Sequence, residues 1–264
     1  MISRPPFLAR LERFAVVDST QRVVRDWLGA GVPEVAVAVA GEQTAGRGRL
    51  GRSWQAPAGR ALLLSVGFRP VGLAAGHAWR LGAIVAQAML DAAEEVAGLR
   101  ERSLWLKWPN DLVAVDPEGQ LRKVAGVLGE TALDDDGRVA TAAVGIGVDG
   151  DWAAADFPAE LAPTMTSLRE LAGGRPIDHE ALLDAFLDRL EPRYEGLLTG
   201  RFDVGGWSVR QICTGREVEV AVGGEVLEGR AVGMAPESGS LRLETADGIG
   251  REVDAGEVIR CRVV

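Results

Sequence analysis

The residues best suited to chemistry in this 264-residue chain lie in residues 41–60, GEQTAGRGRLGRSWQAPAGR. No Asp or Glu occurs from Gln43 through Leu90, although the whole chain carries 38 acidic residues. Arginines remain in that window, and a guanidinium group binds phosphate or carboxylate oxygens in a forked geometry. The interleaved glycines let the backbone approach a ligand closely. This segment, called the arginine loop below, therefore predicts an anion-binding site.

Two known glycine motifs match the sequence of the arginine loop but not the secondary structure predicted around it. Three of its glycines spell GxGxxG, and GRGRLGRS has the form of a P-loop with Arg in place of Lys. Both patterns need a strand before the loop and a helix after it. Residues 35–40 predict the strand, but Pro57 and Gly59 break a helix, and residues 61–68 predict another strand. We therefore expect a phosphate-binding loop of a different kind, placed between two strands.

Two lysines lie in apolar stretches that predict strands. Lys107 belongs to LWLKW and Lys123 to KVAGVLGE. An ammonium group in such a place costs free energy unless it is paired or faces a cleft. Alternatively, either lysine taken alone could lie at the end of a strand with its ammonium group in water, and this interpretation is as good as the first. Asn110 and Asp111 follow Lys107 in a proline turn, and together with the arginine loop these residues predict one phosphate-handling site.

The elements that must position these residues follow from periodicity and turn chemistry. After an irregular start, Asp18 as N-cap and Gln21 three residues later predict a helix to about Gly29. Beyond residue 199, short β runs at regular spacing predict a small antiparallel barrel. The remaining predictions are helices over 77–96 and 178–198, a short helix after 166–168, and strands over 104–108, 112–115, 123–130 and 139–148.

Composition narrows the classes of function. A net charge of −9 and a pI near 4.9 oppose non-specific binding to nucleic acid, which draws on excess Lys and Arg. Two cysteines, Cys213 and Cys261, lack CxxC spacing, and two histidines complete no zinc set. We expect both thiols to be reduced. No apolar run approaches the roughly 20 residues of a membrane span, so we expect a soluble, cytoplasmic protein with no membrane partner.

The motifs GRGRLGRSW, KWPNDL, KVAGVLGE and GIGV, in this order, resemble biotin protein ligases. These enzymes attach biotin to the carrier domains of carboxylases, and the resemblance runs from about Asp18 to the C-terminus. It implies an α+β (α/β) fold, with a catalytic domain over residues 1–211 that resembles class II aminoacyl-tRNA synthetases, a mixed sheet flanked by helices. A C-terminal SH3-like β-barrel domain over residues 212–264 follows.

The resemblance also implies substrates and partners. Biotin and ATP are the expected substrates, with Mg²⁺ entering as the ATP complex, and the expected partner is the biotin carboxyl carrier domain of an acyl-CoA carboxylase. A homodimer is a further expectation. Family members that repress transcription carry an additional N-terminal winged helix-turn-helix, whereas only 17 residues precede Asp18 here. We therefore expect the ligase-only form, which does not bind DNA.

By resemblance, individual residues acquire roles. Lys123 would hold the biotin carboxylate against the α-phosphate, and Asp111 would act as base or orienter for the acceptor lysine. The biotin-binding set is Ser19, Thr20, Gln43, Gly46, Arg47, Lys123, Gly126 and Gly145. The ATP-binding set is Arg47, Arg49, Trp54, Lys107 and Asn110, with Trp54 beside the adenine. The catalytic set is Lys123, Arg49, Lys107 and Asp111.

One residue departs from the family pattern, and two other functions compete. Asp149 stands where the family commonly has Asn, and because a carboxylate there would repel phosphate unless it bound Mg²⁺, Asp149 is a candidate metal ligand. A lipoate or octanoate ligase or transferase of the same superfold is one alternative. Ser19, Thr20 and Gln43 favour biotin, because its ureido ring needs polar partners. The other alternative, a non-catalytic binding protein, is opposed by the intact basic residues.

Overall fold

The computed structural model describes residues 7–262, which form a seven-stranded sheet, a five-stranded sheet and the helices that pack on them. The first part of the chain comprises β1 (Arg10–Val17), α1 (Thr20–Gly29), β2 (Ala36–Gln43), β3 (Leu62–Phe68), α2 (Trp79–Val96), β4 (Leu104–Lys107), β5 (Asp111–Val115), β6 (Leu121–Leu133) and β7 (Val139–Val148). The rest comprises α3 (Leu168–Leu171), α4 (His179–Leu198), α5 (Val204–Val209), β8 (Glu217–Val222), β9 (Glu225–Met234), β10 (Leu241–Glu244), β11 (Gly250–Val253) and β12 (Glu257–Cys261).

The seven-stranded sheet has the order β1-β2-β3-β7-β6-β5-β4. Its β1–β2 pair is parallel and its other pairs are antiparallel, so the predicted mixed sheet is confirmed. The prediction of an irregular start is wrong, because residues 10–17 form the edge strand β1. Most of its side chains are partly or fully exposed, so the strand lacks the continuous apolar signal that marks the buried strands.

The two faces of this sheet carry different side chains. Successive strand residues point to opposite faces, and Leu64, Val66, Val144 and Ile146 point into the core that includes α2 and α4. The opposite face carries small residues such as Ala38, Ala143 and Gly67, and α1 packs there through Val24 and Leu28. A Cβ at Gly67 would lie 2.7 Å from Val24 Cγ1, so the missing side chain allows this close approach.

Helix α1 begins one residue later than predicted. Its N-cap is Ser19, in an extended conformation, with a side chain that accepts a hydrogen bond from the Arg22 N–H at 3.5 Å. Asp18 instead accepts from the Ser19 N–H and forms an ion pair with Arg22. Gln21 therefore lies within the first turn, and its side chain is buried. The short helix predicted after residues 166–168 is α3, capped by Ser167, and the helix predicted from residue 178 is α4, capped by Asp178.

The C-terminal strands form an antiparallel sheet of order β11-β10-β9-β8-β12. Within residues 7–262, β11 and β12 do not pair with each other, so the antiparallel sheet is confirmed and the small barrel stays a prediction. The sheet packs against the rest of the chain, because the Trp108 and Trp79 indoles donate hydrogen bonds to the carbonyls of Gly239 and Glu237. No helix in the part of the chain that the structure describes is long and apolar enough to cross a membrane.

Candidate functional site

The arginine loop forms a narrow hairpin between β2 and β3, as its position between two apolar runs predicted. The Trp54 N–H donates to the Gly46 carbonyl at 2.9 Å, and the Gly48 N–H donates to the Arg52 carbonyl at 2.7 Å. A Cβ at Gly46 would lie 2.4 Å from the Trp54 carbonyl oxygen, so this position requires glycine. The tip, Arg49–Gly51, is a single 3₁₀ turn.

Two arginines of the loop bind distant parts of the chain. The Arg49 guanidinium donates to Asn110 Oδ1 at 3.3 Å and to the Gly256 carbonyl at 3.1 Å. Burial lowers the pKa of Arg49, while the negative charges of Asp111 and Glu257 oppose that shift. The Arg52 guanidinium donates to both carboxylate oxygens of Glu257, at 2.8 and 2.6 Å. The loop is therefore held jointly by the start of β5 and by the C-terminal sheet.

A row of directly paired residues crosses four strands beneath the loop. Lys107 of β4 lies opposite Asp111 of β5, which lies opposite Gly126 of β6, which lies opposite Gly147 of β7. Directly opposite residues in antiparallel strands share one face of the sheet. This register, rather than proximity in sequence, brings predicted residues of KWPNDL, KVAGVLGE and GIGV into one row.

Lys123 joins this row as an ion pair. Its Nζ lies 2.7 Å from Asp111 Oδ1, and the two side chains are 29% and 17% exposed. The same Nζ lies 5.3 Å from the centroid of the Trp54 ring, a distance at which a cation interacts with the aromatic face. Lys107 makes no ion pair with a carboxylate of residues 7–262. The structure thus pairs one predicted lysine and leaves the other available to a ligand.

The glycines of the row accommodate Trp54. A Cβ at Gly147 would lie 2.5 Å from Trp54 Cε2, and a Cβ at Gly126 would lie 3.0 Å from Lys123 Nζ and 3.2 Å from Trp54 Cζ3. The indole ring therefore packs directly on strand backbone. Trp54 was predicted to lie beside the adenine of ATP, and the structure places it among the residues predicted to bind biotin.

Most of those residues line a small polar cavity of about 30 Å³ on the α1 face of the sheet, whereas Gly46 and Lys123 do not border it. Ser19, Thr20, Gln43, Arg47, Trp54, Gly126 and Gly145 all border it. The Thr20 N–H and Oγ1 approach Gln43 Oε1 at 2.7 and 3.1 Å, and Thr20 Oγ1 lies 2.8 Å from Ser65 Oγ. A volume of this size holds about one water molecule. A larger ligand would have to displace a lining side chain.

Two hydrogen-bond donors of this cavity have no partner. Gln21 Nε2 and Trp54 Nε1 are buried and make no hydrogen bond within the described residues. Buried unpaired donors are rare in folded proteins, so these atoms indicate where a ligand acceptor would bind. From the sequence, Gln21 was predicted only to take part in helix capping, and Ser65 was not predicted to belong to the site. Ser65 was detectable, because it is the lone polar residue of the strand LLLSVGF.

A larger cavity, of about 340 Å³, lies mainly on the other face of the sheet. Val127 and Gly129 of β6 line it, together with α2 and the C-terminal sheet. The predicted residues Arg49, Lys107, Asn110 and Asp111 also border it, at the sheet edge where the two faces meet. The unpartnered donors and the Lys123–Asp111 pair are associated with the α1 face, so we assign the site to that face despite the smaller cavity.

Asp149 lies directly after β7 and borders neither cavity. Its carboxyl group is fully buried, and neither oxygen has a hydrogen-bond partner in residues 7–262. Burial raises the pKa of Asp149 well above its usual range, although the Lys123 ammonium opposes the shift. The described residues contain no group of three His, Cys, Asp or Glu side chains that could hold a metal ion. Metal binding by Asp149 stays a prediction.

Comparisons with known proteins found matching family models and relatives. Residues 13–150 match the model of the biotin/lipoate A/B protein ligase family, and residues 214–260 match the biotin protein ligase C-terminal domain. The chain is 31% identical over 236 residues to the bifunctional ligase/repressor BirA of Bacillus subtilis, covering 89% of this chain and 69% of that protein. It is 32% identical over 231 residues to the biotin–acetyl-CoA-carboxylase ligase of Mycobacterium tuberculosis, covering 86% and 79%.

A solved structure extends the comparison to the fold. The biotin protein ligase of Aquifex aeolicus in complex with biotin and ATP superimposes with a TM-score of 0.76 and 28% sequence identity. The match covers 97% of this chain and 99% of that one. The similarity therefore includes both sheets as well as the arginine loop.

Proposed function

The chain belongs to the biotin/lipoate A/B protein ligase family, and on that basis we propose that it is a biotin protein ligase. The enzyme joins biotin and ATP to form biotinyl-5'-AMP with release of pyrophosphate. It then transfers biotin to one lysine of the biotin carboxyl carrier domain of an acyl-CoA carboxylase. The proposed acceptor class follows the relatives that are biotin–acetyl-CoA-carboxylase ligases.

The position of Lys123 carries the proposal. Its ammonium group lies beside the glycine row, between the Asp111 carboxylate and the Trp54 ring over the small cavity. In the first reaction a biotin carboxylate oxygen attacks the α-phosphorus of ATP, and the bond to pyrophosphate breaks. Two anions must approach each other, and preorganised cations lower the cost of that approach and of the charged transition state. We propose that Lys123 contacts both anions.

The small cavity supports biotin as the substrate. Ser19, Thr20 and Gln43 surround it with hydroxyl and amide groups, and the unpartnered Gln21 Nε2 offers a donor to a ureido carbonyl. Arg47, Gly46, Gly126 and Gly145 complete the proposed biotin set. The alkyl chain of lipoate or octanoate would leave these polar groups unpaired, which is unfavourable in a buried site. Biotin binding requires Trp54 to leave its place on Gly147, since the cavity is otherwise too small.

The remaining basic residues are proposed to bind ATP. Arg49, held by Asn110, and Lys107 lie at the sheet edge next to Asp111, where they can contact the phosphates. In the second reaction the amine of the acceptor lysine attacks the acyl carbon, and AMP leaves. That amine must be neutral to act as a nucleophile, and Asp111 is the proposed base or orienting group.

Mg²⁺ is proposed to enter with ATP as part of the substrate complex. Asp111 is paired with Lys123, and the described residues offer no set of three protein ligands, so they do not fit a metal held by the protein alone. Magnesium commonly takes most of its ligands from phosphate oxygens and water, with one or two carboxylates. When bound, it would neutralise phosphate charge.

Finer features of organisation and location belong to the same proposal. We propose a class II aminoacyl-tRNA synthetase-like catalytic domain over 1–211 and an SH3-like barrel domain over 212–264. The boundary is supported by the Ile212 N–H, which donates to Leu106 as the chain enters the C-terminal sheet. The net charge of −9 supports a ligase-only form without DNA binding.

Two free thiols support a cytoplasmic location. A homodimer stays a prediction.

The test is direct transfer. The protein is incubated with biotin, ATP, Mg²⁺ and a biotin carboxyl carrier domain, and the intact mass of the carrier is measured. We expect a gain of one biotinyl group, and no gain on a carrier whose acceptor lysine is replaced by arginine. Parallel incubations with lipoate and octanoate test the alternative ligase. Binding of biotin and ATP without any mass gain would identify a non-catalytic binding protein and contradict the proposal.

A further inference from the structure

Two cysteines that are far apart in sequence meet at the edge of the C-terminal sheet. Cys213 is fully buried where the chain enters this sheet, and Cys261 ends β12 in a partly buried position. The Arg216 N–H donates to the Cys213 carbonyl, which folds the start of β8 back onto Cys213. Cys261 lies opposite Val218 of β8. This turn and this register bring the two residues to the same end of the C-terminal sheet, where each thiol shifts the pKa of the other.

The surroundings of the pair make the two thiols unequal. The hydrogen bond from Cys213, with the nearby charges of Arg216 and Lys107, lowers the pKa of Cys261. The same hydrogen bond, together with burial, raises the pKa of Cys213. The thiolate is the reactive form of cysteine, and its reaction requires access for the oxidant. Cys261 therefore has both the greater access and the greater thiolate character.

We propose that Cys213 and Cys261 form a reversible disulfide by exchange with a small-molecule disulfide such as glutathione disulfide. The Cys261 thiolate attacks one sulfur of glutathione disulfide, the S–S bond breaks, and one glutathione leaves as a thiolate that takes up a proton. Cys213 then loses its proton and attacks the Cys261 sulfur of the mixed disulfide, which expels the second glutathione. Two protein thiols are oxidised and one glutathione disulfide is reduced to two thiols.

The cross-link would join the entry of the C-terminal sheet to its last strand. β12 also contains Glu257, the partner of Arg52 in the arginine loop, and Lys107 is close enough to the thiols to influence both. Oxidation would therefore restrain the sheet that holds the loop. It would also remove any negative charge of Cys261 from the neighbourhood of Lys107. The proposal does not depend on the identity of the substrate of the main site.

The experiment equilibrates the folded full-length protein in mixtures of reduced glutathione and glutathione disulfide. Free thiols are then alkylated, and the protein is analysed by intact mass and by peptide mapping without reduction. We expect the mass to fall by two hydrogens, a Cys213–Cys261 peptide pair, no intermolecular cross-link, and full reversal by dithiothreitol. The urea-unfolded protein is the control, because its thiols should react with glutathione disulfide. If it reacts while the folded wild-type protein keeps free thiols or persistent glutathione adducts at oxidising ratios, the proposal is overturned.

Single variants test the order of the two steps. Cys213→Ser should retain one glutathione on Cys261, because no second thiol is present to expel it. Cys261→Ser should lose the reaction with glutathione disulfide, because its remaining thiol is buried. Equal reaction of both variants would contradict the assigned order. Should either variant fail to fold, glutathione disulfide is applied briefly to the wild-type protein, and the first adduct must map to Cys261.

Discussion

The two faces of the seven-stranded sheet are built from the same strands but have different functions. Along β7, Val144 and Ile146 point into the core beside α2, whereas Gly145 and Gly147 alternate with them on the α1 face. Large side chains cover the first face and pack on α2 around the larger cavity. The second face lacks them, and the Trp54 ring lies on the backbone instead.

This difference shows how stability and binding are separated within one sheet. A fully buried aliphatic side chain contributes about 1.5–3 kcal/mol to folding, and the core face gains this at each large residue. The glycines of the α1 face bury no side chain and so do not contribute this free energy of folding. They leave room for polar groups and for the Trp54 ring, which a ligand can displace. Substitutions on the α1 face should therefore change catalysis with little loss of stability. Substitutions on the α2 face should lower stability with little change in catalysis.

The largest effect is expected from Lys123→Ala on the site face. Loss of one preorganised cation should lower the rate of biotinyl-adenylate formation by about 10²–10³-fold. Single-turnover formation of the adenylate measures the effect, and circular dichroism checks folding. The matched control is Arg122→Ala, because Arg122 is next in the strand but binds Asp116 and the Ala162 carbonyl instead. Near-normal adenylate formation by Lys123→Ala would refute the role given to Lys123.

A smaller effect on the same face is expected from Gly147→Ala. Its new methyl group would meet Trp54 at 2.5 Å, and overpacking of this kind commonly costs about 1–3 kcal/mol. Because Trp54 must leave Gly147 for biotin to bind, this cost falls on the free protein, and we expect tighter biotin binding in calorimetry. We expect no unfolding, because Trp54 is on a loop. Gly129→Ala on the other face is the control, since its Cβ would meet nothing within 4 Å. Equal biotin affinities in the two variants would refute the assignment of the site to the α1 face.

The pH dependence of stability tests Asp149, which lies beyond the end of the glycine strand. Burial raises its pKa, so the folded chain keeps a proton that the unfolded chain releases above about pH 4. The free energy of unfolding should therefore fall as pH rises from about 4 towards the raised pKa, by at most about 1.4 kcal/mol per pH unit. Asp149→Asn should remove this slope in urea unfolding curves measured between about pH 5 and pH 8.

The same variant tests the metal prediction. If Asp149 binds Mg²⁺ together with ATP, Asp149→Asn should increase the magnesium concentration needed for half-maximal rate, because ligand charge contributes to affinity for hard cations. An unchanged magnesium curve combined with a removed pH slope would establish a buried neutral acid. Parallel pH curves for the two proteins would contradict the raised pKa.

The smallest effect is expected from Ile84→Val in α2, on the core side of the sheet. Ile84 is 2% exposed and borders neither cavity, and removal of one methylene from such a position typically costs about 0.5–1.5 kcal/mol. Urea unfolding should show this loss, while the KM for biotin and the rate of transfer stay unchanged. A shift in KM comparable to that of Gly147→Ala would mean that the two faces are not functionally separate.

Much of the secondary structure was predictable because its signals are local. The hairpin of β4 and β5 followed from an apolar run, a proline turn and a second apolar run, and the Asp178 cap marked the start of α4. The errors arose where a local signal was weak or ambiguous. β1 is an exposed edge strand, and Asp18 and Ser19 are adjacent residues that can both cap a helix.

The candidate site was predictable in its residue types but not in its contacts. The family motifs led to Lys123, Asp111 and Trp54, whereas Gln21 and Ser65 were missed because each is unremarkable in its own stretch. Gln21 enters the site because α1 begins one residue later than expected and packs on a face of small residues. That result depends on how helix and sheet fit together.

Sequence by itself determined the acidic composition, the stretch without carboxylates from Gln43 through Leu90, the element types and the motifs of the family, because each depends on neighbouring residues. Tertiary structure alone decided which distant groups meet: Lys123 with Asp111, Arg52 with Glu257, and Cys213 with Cys261. Strand register places Lys123, Asp111, Glu257 and Cys261 for these pairs, and a shift of one residue would turn each of these side chains to the opposite face of its sheet. Register is selected by burial of the whole core face at once, so no single segment contains it.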